Sequence, residues 1–401
     1  MAKPTISARF RAQDEELLFK LCEEKSRRAI ASRGEGYDNI SVSMLPRFGY
    51  SGARLFVVTF TKRDSPSVFK IAPYRKACGE MKAINSMDGV GVEDCTRVRD
   101  GGVGLLHSDD KKWGGILYPH MGVLYPKDAD ESVTLKQRLF SAEKPLRPLS
   151  LERLKSVLTQ VFQQLWLAHC NPDWKSVLVK ETYDSYFRDH RSESRIREIL
   201  GSAAGKPRID FLHAKQLYNP LKLVEDLPRR AQLPMARVHG DLHPDNVVLH
   251  KIDGAPHLID FAWAERERDV LVDFVLMENS IRFRDFPRTA NLEEQLKLDR
   301  ALVQNQSFEA FPPCNSWGED NQWAYDRLST AIPVIRNSAK MVLGDGFSVE
   351  RYLFCQFIVL YGLLRYDAYD PYISLQALAL MAERLRDAGW GFLEQTASRL
   401  S

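Results

Sequence analysis

Two acids and an amide, Asp241, Asn246 and Asp260, are spaced so that one hairpin would gather them. Asp241 and Asn246 lie in Val238-His239-Gly240-Asp241-Leu242-His243-Pro244-Asp245-Asn246, and Asp260 sits in Leu258-Ile259-Asp260-Phe261. Residues 247–251 between them read as a short apolar strand. Asp253-Gly254 signals a tight turn, and the chain then returns as a second strand ending on Asp260. Folding this hairpin carries the three side chains to one edge. Hard divalent cations take oxygen ligands of these types. The cluster therefore suits one or two such ions holding a triphosphate, with one acid left to receive a proton.

Several upstream elements would have to position that cluster. Residues 15–30 have helical spacing at Leu17, Leu18 and Leu21, with heavy charge between them. Residues 41–48 and 54–60 read as strands rich in β-branched and aromatic side chains. The loop between them, Gly49-Tyr50-Ser51-Gly52, has the glycines that let backbone N–H groups approach phosphates, which makes Ser51 and Gly52 candidates for that contact. Residues 67–71 form a third strand, in which Phe69 and Ile71 share one face while Val68 and Lys70 share the other. A lysine on so apolar a strand needs a partner. Ten residues on, Glu80 falls within a helix expected over 75–85, which Cys78-Gly79 weakens. Strands at 96–99 and 113–118, with Gly101-Gly102 between, complete an expected five-stranded antiparallel sheet.

The run from His239 to Asn246 resembles the H-G-D-x-x-x-x-N pattern of the aminoglycoside phosphotransferase and choline kinase families, distant relatives of the protein kinases. His239, Gly240, Asp241 and Asn246 match position for position, and Asp260-Phe261 stands where those families carry a metal-binding aspartate. The resemblance implies a bilobal α+β fold of the protein-kinase type: a small antiparallel sheet with one key helix, and a larger, mainly helical lobe. It also implies ATP or GTP with magnesium as cofactors, and transfer of a phosphoryl group to a small-molecule hydroxyl. Asp241 would be the base, and Asn246 and Asp260 the magnesium ligands. Lys70 would hold phosphates and pair with Glu80. His120 or Met121, after Pro119 in an expected hinge, would meet the adenine edge. His239 reads as a structural residue beneath the loop, and Asp273 as an acid that fixes backbone rather than reacts.

These elements divide the chain into a helical extension (1–40), a nucleotide-binding lobe (41–121) and a mainly helical lobe (122–401) that contains the loop 238–261. The second lobe starts from a helix marked by Leu151, Leu154, Val157, Leu158, Val161, Phe162 and Leu165. Residues 171–237 form a helical insertion of a length that protein kinases lack at this point. Its Arg188, Arg191, Arg195 and Arg197 could meet an anion, but a solvated helix face is the preferred reading. Residues 285–320 read as irregular, and 323–340, 349–366 and 374–385 as helices. No activation segment of the protein-kinase kind is recognisable, so a protein kinase ranks last.

Composition is that of an ordinary globular protein, 44% apolar and 27% charged, and a formal charge of +3 gives no reason to expect nucleic acid or an acidic membrane. The six cysteines are scattered without metal spacing, which points to reduced thiols and a cytoplasmic setting. No segment reads as membrane-spanning. A second function class stays open: a kinase-fold binding or scaffold module with a protein partner in a bacterial signalling or defence assembly. The run Ile259-Asp260-Phe261-Ala262-Trp263-Ala264, with Asp273-Phe274 and Glu278 beyond it, is similar to modules of that kind.

Overall fold

The computed structural model describes residues 5–6, 12–33, 41–44, 54–59, 67–87, 105–118, 134–140, 148–211, 214–249, 254–261, 263–264, 267–286, 292–304, 311 and 319–394. The chain divides into two compact units. One comprises Met1–Arg138 with Asp245–Arg266, the other Leu139–Pro244 with Glu267–Ser401.

The first unit is built on a sheet of six strands: β1 (Thr5–Ile6), β2 (Ser41–Met44), β3 (Arg54–Thr59), β4 (Ser67–Pro73), β5 (Leu106–His107) and β6 (Trp113–Tyr118). Their order is β1-β2-β3-β4-β6-β5, and every pairing is antiparallel except β1 on β2. The expected five-stranded antiparallel sheet is therefore corrected. A parallel edge strand is added, and the strand paired to β6 beside β4 is Leu106–His107. The stretch 96–99 lies outside the described residues. Alternation along β4 then decides the packing. Phe69 and Ile71 join Val42, Phe56, Val58 and Leu117 in a core that helix α1 (Ala12–Arg33) covers with Leu17, Leu18, Leu21 and Cys22. Arg54 locks α1 to the sheet: its Nε donates to Asp14 at 2.8 Å, and its guanidinium lies 4.4 Å from the Trp113 ring centroid.

Helix α2 (Tyr74–Met87) follows β4 without a break and runs through Gly79, where an interior glycine costs only about 1 kcal/mol. It lies close to β6, since a Cβ on Gly114 would stand 2.7 Å from the Ala77 Cβ. In the same unit the strands Val247–Leu249 and Pro256–Leu258 form the expected antiparallel hairpin, and Gly254 in its turn has φ +63°.

In the second unit, α3 (Leu151–Gln164) buries Leu154, Val157, Leu158, Val161 and Phe162, with Ser150 capping its first turn. Beyond residue 237 the unit adds α4 (Leu271–Asn279), α5 (Leu292–Gln304), α6 (Glu319–Leu343), α7 (Val349–Leu363) and α8 (Pro371–Ala388). Phe162 of α3 stacks on Phe274 of α4 at 4.7 Å. Two sequence expectations differ here. Residues 285–320 include the helix α5, whose buried Leu296, Leu298, Leu302 and Val303 override the surrounding Pro-rich punctuation. Residues 171–237, expected as helical, also hold Asp173–Leu178, Arg208–Phe211, Ala214–Tyr218 and Arg230–Arg237 as strands. The first and last of these pair in a three-stranded sheet with Glu267–Asp269. Among the described residues no helix is long and apolar enough to cross a membrane.

The helices of this unit enclose a charged core. Glu278 of α4 accepts from Arg336 of α6 at 2.7 and 2.9 Å, from Arg282 at 2.8 Å, and from Tyr352 and Gln356 of α7 at 2.8 Å. Burial by itself would raise the Glu278 carboxyl. Arg336, then Arg282, outweigh it and hold the group at about 2. Because that value lies below the ordinary 4.5, the stabilisation is complete above about pH 4.5 and is lost as pH falls towards 2. Urea denaturation of wild type and Glu278→Gln at pH 6 and pH 2.5 checks this. The gap between the two proteins is expected to shrink by on the order of 3 kcal/mol at the lower pH, and a gap independent of pH would contradict it.

Candidate functional site

In the first unit, β4 presents Lys70 on the face opposite Phe69, and α2 presents Glu80 to it. The Lys70 ammonium lies 2.9 Å from the Glu80 carboxylate and 2.8 Å from Asp260 Oδ1. Lys70 is 6% exposed and Glu80 1%, whereas the Asp260 side chain keeps 24% of its surface. Burial pulls the Lys70 ammonium down, but Glu80 and Asp260 facing it leave it raised overall. Burial pushes the Glu80 carboxyl up to about 7 against the pull of Lys70, and the negative Asp260 adds to the rise. One ammonium thus serves two carboxylates in a site with little water, where charge is expensive unless paired.

Asp260 reaches this position through its backbone. Its φ of +63° is in the left-handed region, which an aspartate enters at a cost of order 1 kcal/mol. Just before it, Ile259 N–H donates to the Asn246 carbonyl at 3.0 Å, continuing the hairpin ladder. Asn246 and Asp260 therefore stand at the same base of the hairpin, and the Asn246 side chain is buried. An amide oxygen and a carboxylate here are donors of the type magnesium takes alongside phosphate oxygens. Among the described residues no group of three or more His, Cys, Asp or Glu converges as a metal site. Lys136 adds a 3.5 Å ion pair to Asp245, beside Asn246.

Asp241 belongs to the second unit, on the loop that follows the strand Arg230–Arg237. Its loop is fixed by Asp273 of α4, which is fully buried. Asp273 Oδ2 accepts from His239 N–H at 2.7 Å, and Oδ1 accepts from Gly240 N–H at 2.8 Å. Gly240 has φ +79°, which glycine adopts without penalty. His169 Nε2 also contacts Asp273, at 3.0 Å. Burial would raise the Asp273 carboxyl, but His169, His239 and the Gly240 amide outweigh it and lower it. Asp273 thus fixes backbone, and His239 is fully buried with its Nδ1 3.4 Å from the Asp241 N–H.

The geometry brings Lys70, Glu80 and Asp260 into direct contact, with Asn246 one ladder position away, while Asp241 sits on its own anchored loop. Ser51, Gly52, His120 and Met121 lie outside the described residues. Arg188, Arg191 and Arg197 form exposed pairs with Asp184, Asp189 and Glu193, and Arg195 donates to the carbonyls of Leu364 and Tyr366. Sequence reasoning missed His169, Lys136 and His243. His169 and Lys136 meet their partners only through the fold. His243 was legible, standing two residues beyond Asp241, and its Nε2 lies 3.7 Å from the Asp241 carboxylate.

A family model described as Ternary complex associated domain 9 matches residues 187–341. No curated protein matches the chain. Among solved structures, the chain is similar to an aminoglycoside phosphotransferase from Streptomyces rimosus at 13% identity, with 84% of this chain and 92% of that one covered and a TM-score of 0.38. It is similar to an aminoglycoside-3'-phosphotransferase of type VIII at 16% identity, covering 85% and 98%, with a TM-score of 0.42. It is also similar to choline kinase from Cryptosporidium parvum at 12% identity, covering 94% and 97%, with a TM-score of 0.43. These are the families that the His239–Asn246 pattern resembles.

The anchoring by Asp273 has a measurable consequence. Asp273→Ala should cost about 3 kcal/mol or more, because two backbone donors and His169 lose a buried acceptor. Hydrogen exchange at the His239 and Gly240 amides should accelerate in the same variant. Unchanged protection of those two amides would remove the anchoring role.

Proposed function

We propose that the chain is an ATP-dependent phosphotransferase that moves the γ-phosphoryl group to a hydroxyl of a small molecule. The observation that carries this reading is the buried Lys70 ammonium held between Glu80 and Asp260. An ammonium in so dry a site, oriented by one carboxylate and facing a second that is partly open to solvent, is suited to a ligand that brings negative charge of its own. Polyphosphate is such a ligand, and Lys70 would transfer part of its pairing to it.

Asn246 and Asp260 would hold magnesium, which would supply positive charge against the phosphates. The protein's own residues do the rest. Glu80 keeps Lys70 charged and aimed. Asp241 orients the acceptor hydroxyl and takes its proton as the new O–P bond forms and the bond from the γ-phosphorus to the leaving ADP oxygen breaks. Ser51 and Gly52 would cover phosphates, and His120 or Met121 would meet the adenine edge, by their order in the chain. Phosphoryl transfer of this kind depends on positioning and on charges placed in advance, and the backbone anchoring of the Asp241 loop serves that need.

A second reading is a kinase-fold module that binds nucleotide with little catalysis and acts within a protein assembly. The match to Ternary complex associated domain 9 over residues 187–341 favours a protein partner. Turnover separates the two readings, since both allow Mg·ATP to raise the melting temperature by mass action.

Two variants test the roles. Asp241→Asn is expected to bind Mg·ATP within about twofold of wild type while losing turnover by about 10²–10⁴-fold. Retained turnover would remove the base assignment. Asp260→Ala should lose the magnesium-dependent part of nucleotide binding in a calorimetric titration, and an affinity equally responsive to magnesium would count against the metal role.

A further inference from the structure

Asp241 has a neighbour that the reaction as described does not use. His243 Nε2 lies 3.7 Å from Asp241 Oδ2, with 18% of the imidazole side chain and 36% of the carboxylate side chain exposed. That spacing is wider than a hydrogen bond and within ion-pair range, and catalytic hydrogen bonds commonly tighten when substrate enters. The backbone on which the pair sits is not free to drift. Asp241 N–H points at His239 Nδ1 at 3.4 Å, and His239 and Gly240 donate in turn to the buried Asp273.

The proton taken from the acceptor creates a problem that this geometry addresses. An imidazole is ordinarily a stronger base than a carboxylate, so a proton taken by a carboxylate can pass on to an imidazole beside it. Resting on the reading of Asp241 as base, we infer that His243 acts through Asp241 as the proton outlet of the site. The acceptor O–H bond breaks as an Oδ–H bond forms on Asp241. That bond breaks in turn as an N–H bond forms on His243 Nε2. The imidazolium, partly exposed, returns the proton to water and resets both groups.

The experiment uses the 401-residue chain and Mg·ATP hydrolysis, with water as the acceptor, followed by ADP release. His243→Ala should lower kcat by about 10- to 100-fold while leaving KM for ATP within about twofold. Added imidazole and a series of methylimidazoles should restore kcat in the order of their basicity, which a cavity filled for purely structural reasons would not produce. A kcat within twofold of wild type, or a rescue indifferent to basicity, overturns the inference. If His243→Ala does not fold, His243→Gln keeps the side-chain length without the base. It should show the same loss of kcat at unchanged KM, and wild-type kcat in that variant overturns the inference as well. Failure of the underlying reading looks different: Asp241→Asn would then turn over Mg·ATP at the wild-type rate.

Discussion

Burying the Lys70 ammonium between two carboxylates is the constraint on which the first unit depends. An unpaired ammonium there would lose its proton or unfold its surroundings, so the strand that carries Lys70 and the helix that carries Glu80 must stay in register with each other. The sheet supplies that register. Phe69 and Ile71 anchor β4 from the other face under α1, and Gly114 allows α2 to settle against β6. The hairpin then brings Asp260 to the remaining side of the ammonium, at the expense of a left-handed backbone. Packing on one face of the sheet thereby fixes electrostatics on the other.

The second unit solves the same problem with the signs reversed. There the buried charges that need satisfying are carboxylates, Asp273 and Glu278, five residues apart across α4. Asp273 is satisfied by His169 together with the backbone N–H groups of the 239–240 loop, which makes the loop's shape a condition of the helix's stability. Glu278 is satisfied by guanidiniums from its own helix end and from α6, together with polar groups of α7. A single short helix therefore ties the 239–240 loop at one end to the helical core at the other. Breaking one member of such a buried network is costly, since it leaves a charge without compensation.

Much of this was legible in the sequence, for reasons that differ from element to element. The strand β4 showed itself by alternation, the lone Lys70 on it demanded a partner, and the family resemblance pointed to Glu80 on the next helix. Asn246 and Asp260 were readable as neighbours because an Asp-Gly turn sets the hairpin register. Gly79 was read as weakening α2, yet the buried Ala77 and the Lys70–Glu80 pair outweigh one glycine. The edge strand β1, two residues long, offers no period to detect. The helix α5 was hidden because prolines and aromatics on either side dominate the local pattern, while its leucines find a core only in the folded unit. His169 could not be assigned to Asp273 from sequence, since 104 residues separate them and neither belongs to a spaced motif.

The most direct test of the account is a calorimetric titration of Mg·ATP into wild type and Lys70→Met. Methionine keeps the length of the side chain and removes its charge, and the raised Glu80 carboxyl can take up a proton in place of the lost partner. The account predicts a folded variant whose affinity falls by about 10- to 100-fold, the worth of a charge-assisted hydrogen bond to phosphate. An affinity within about twofold of wild type would mean that Lys70 does not meet the nucleotide, and the phosphate-handling role of the buried trio would be wrong.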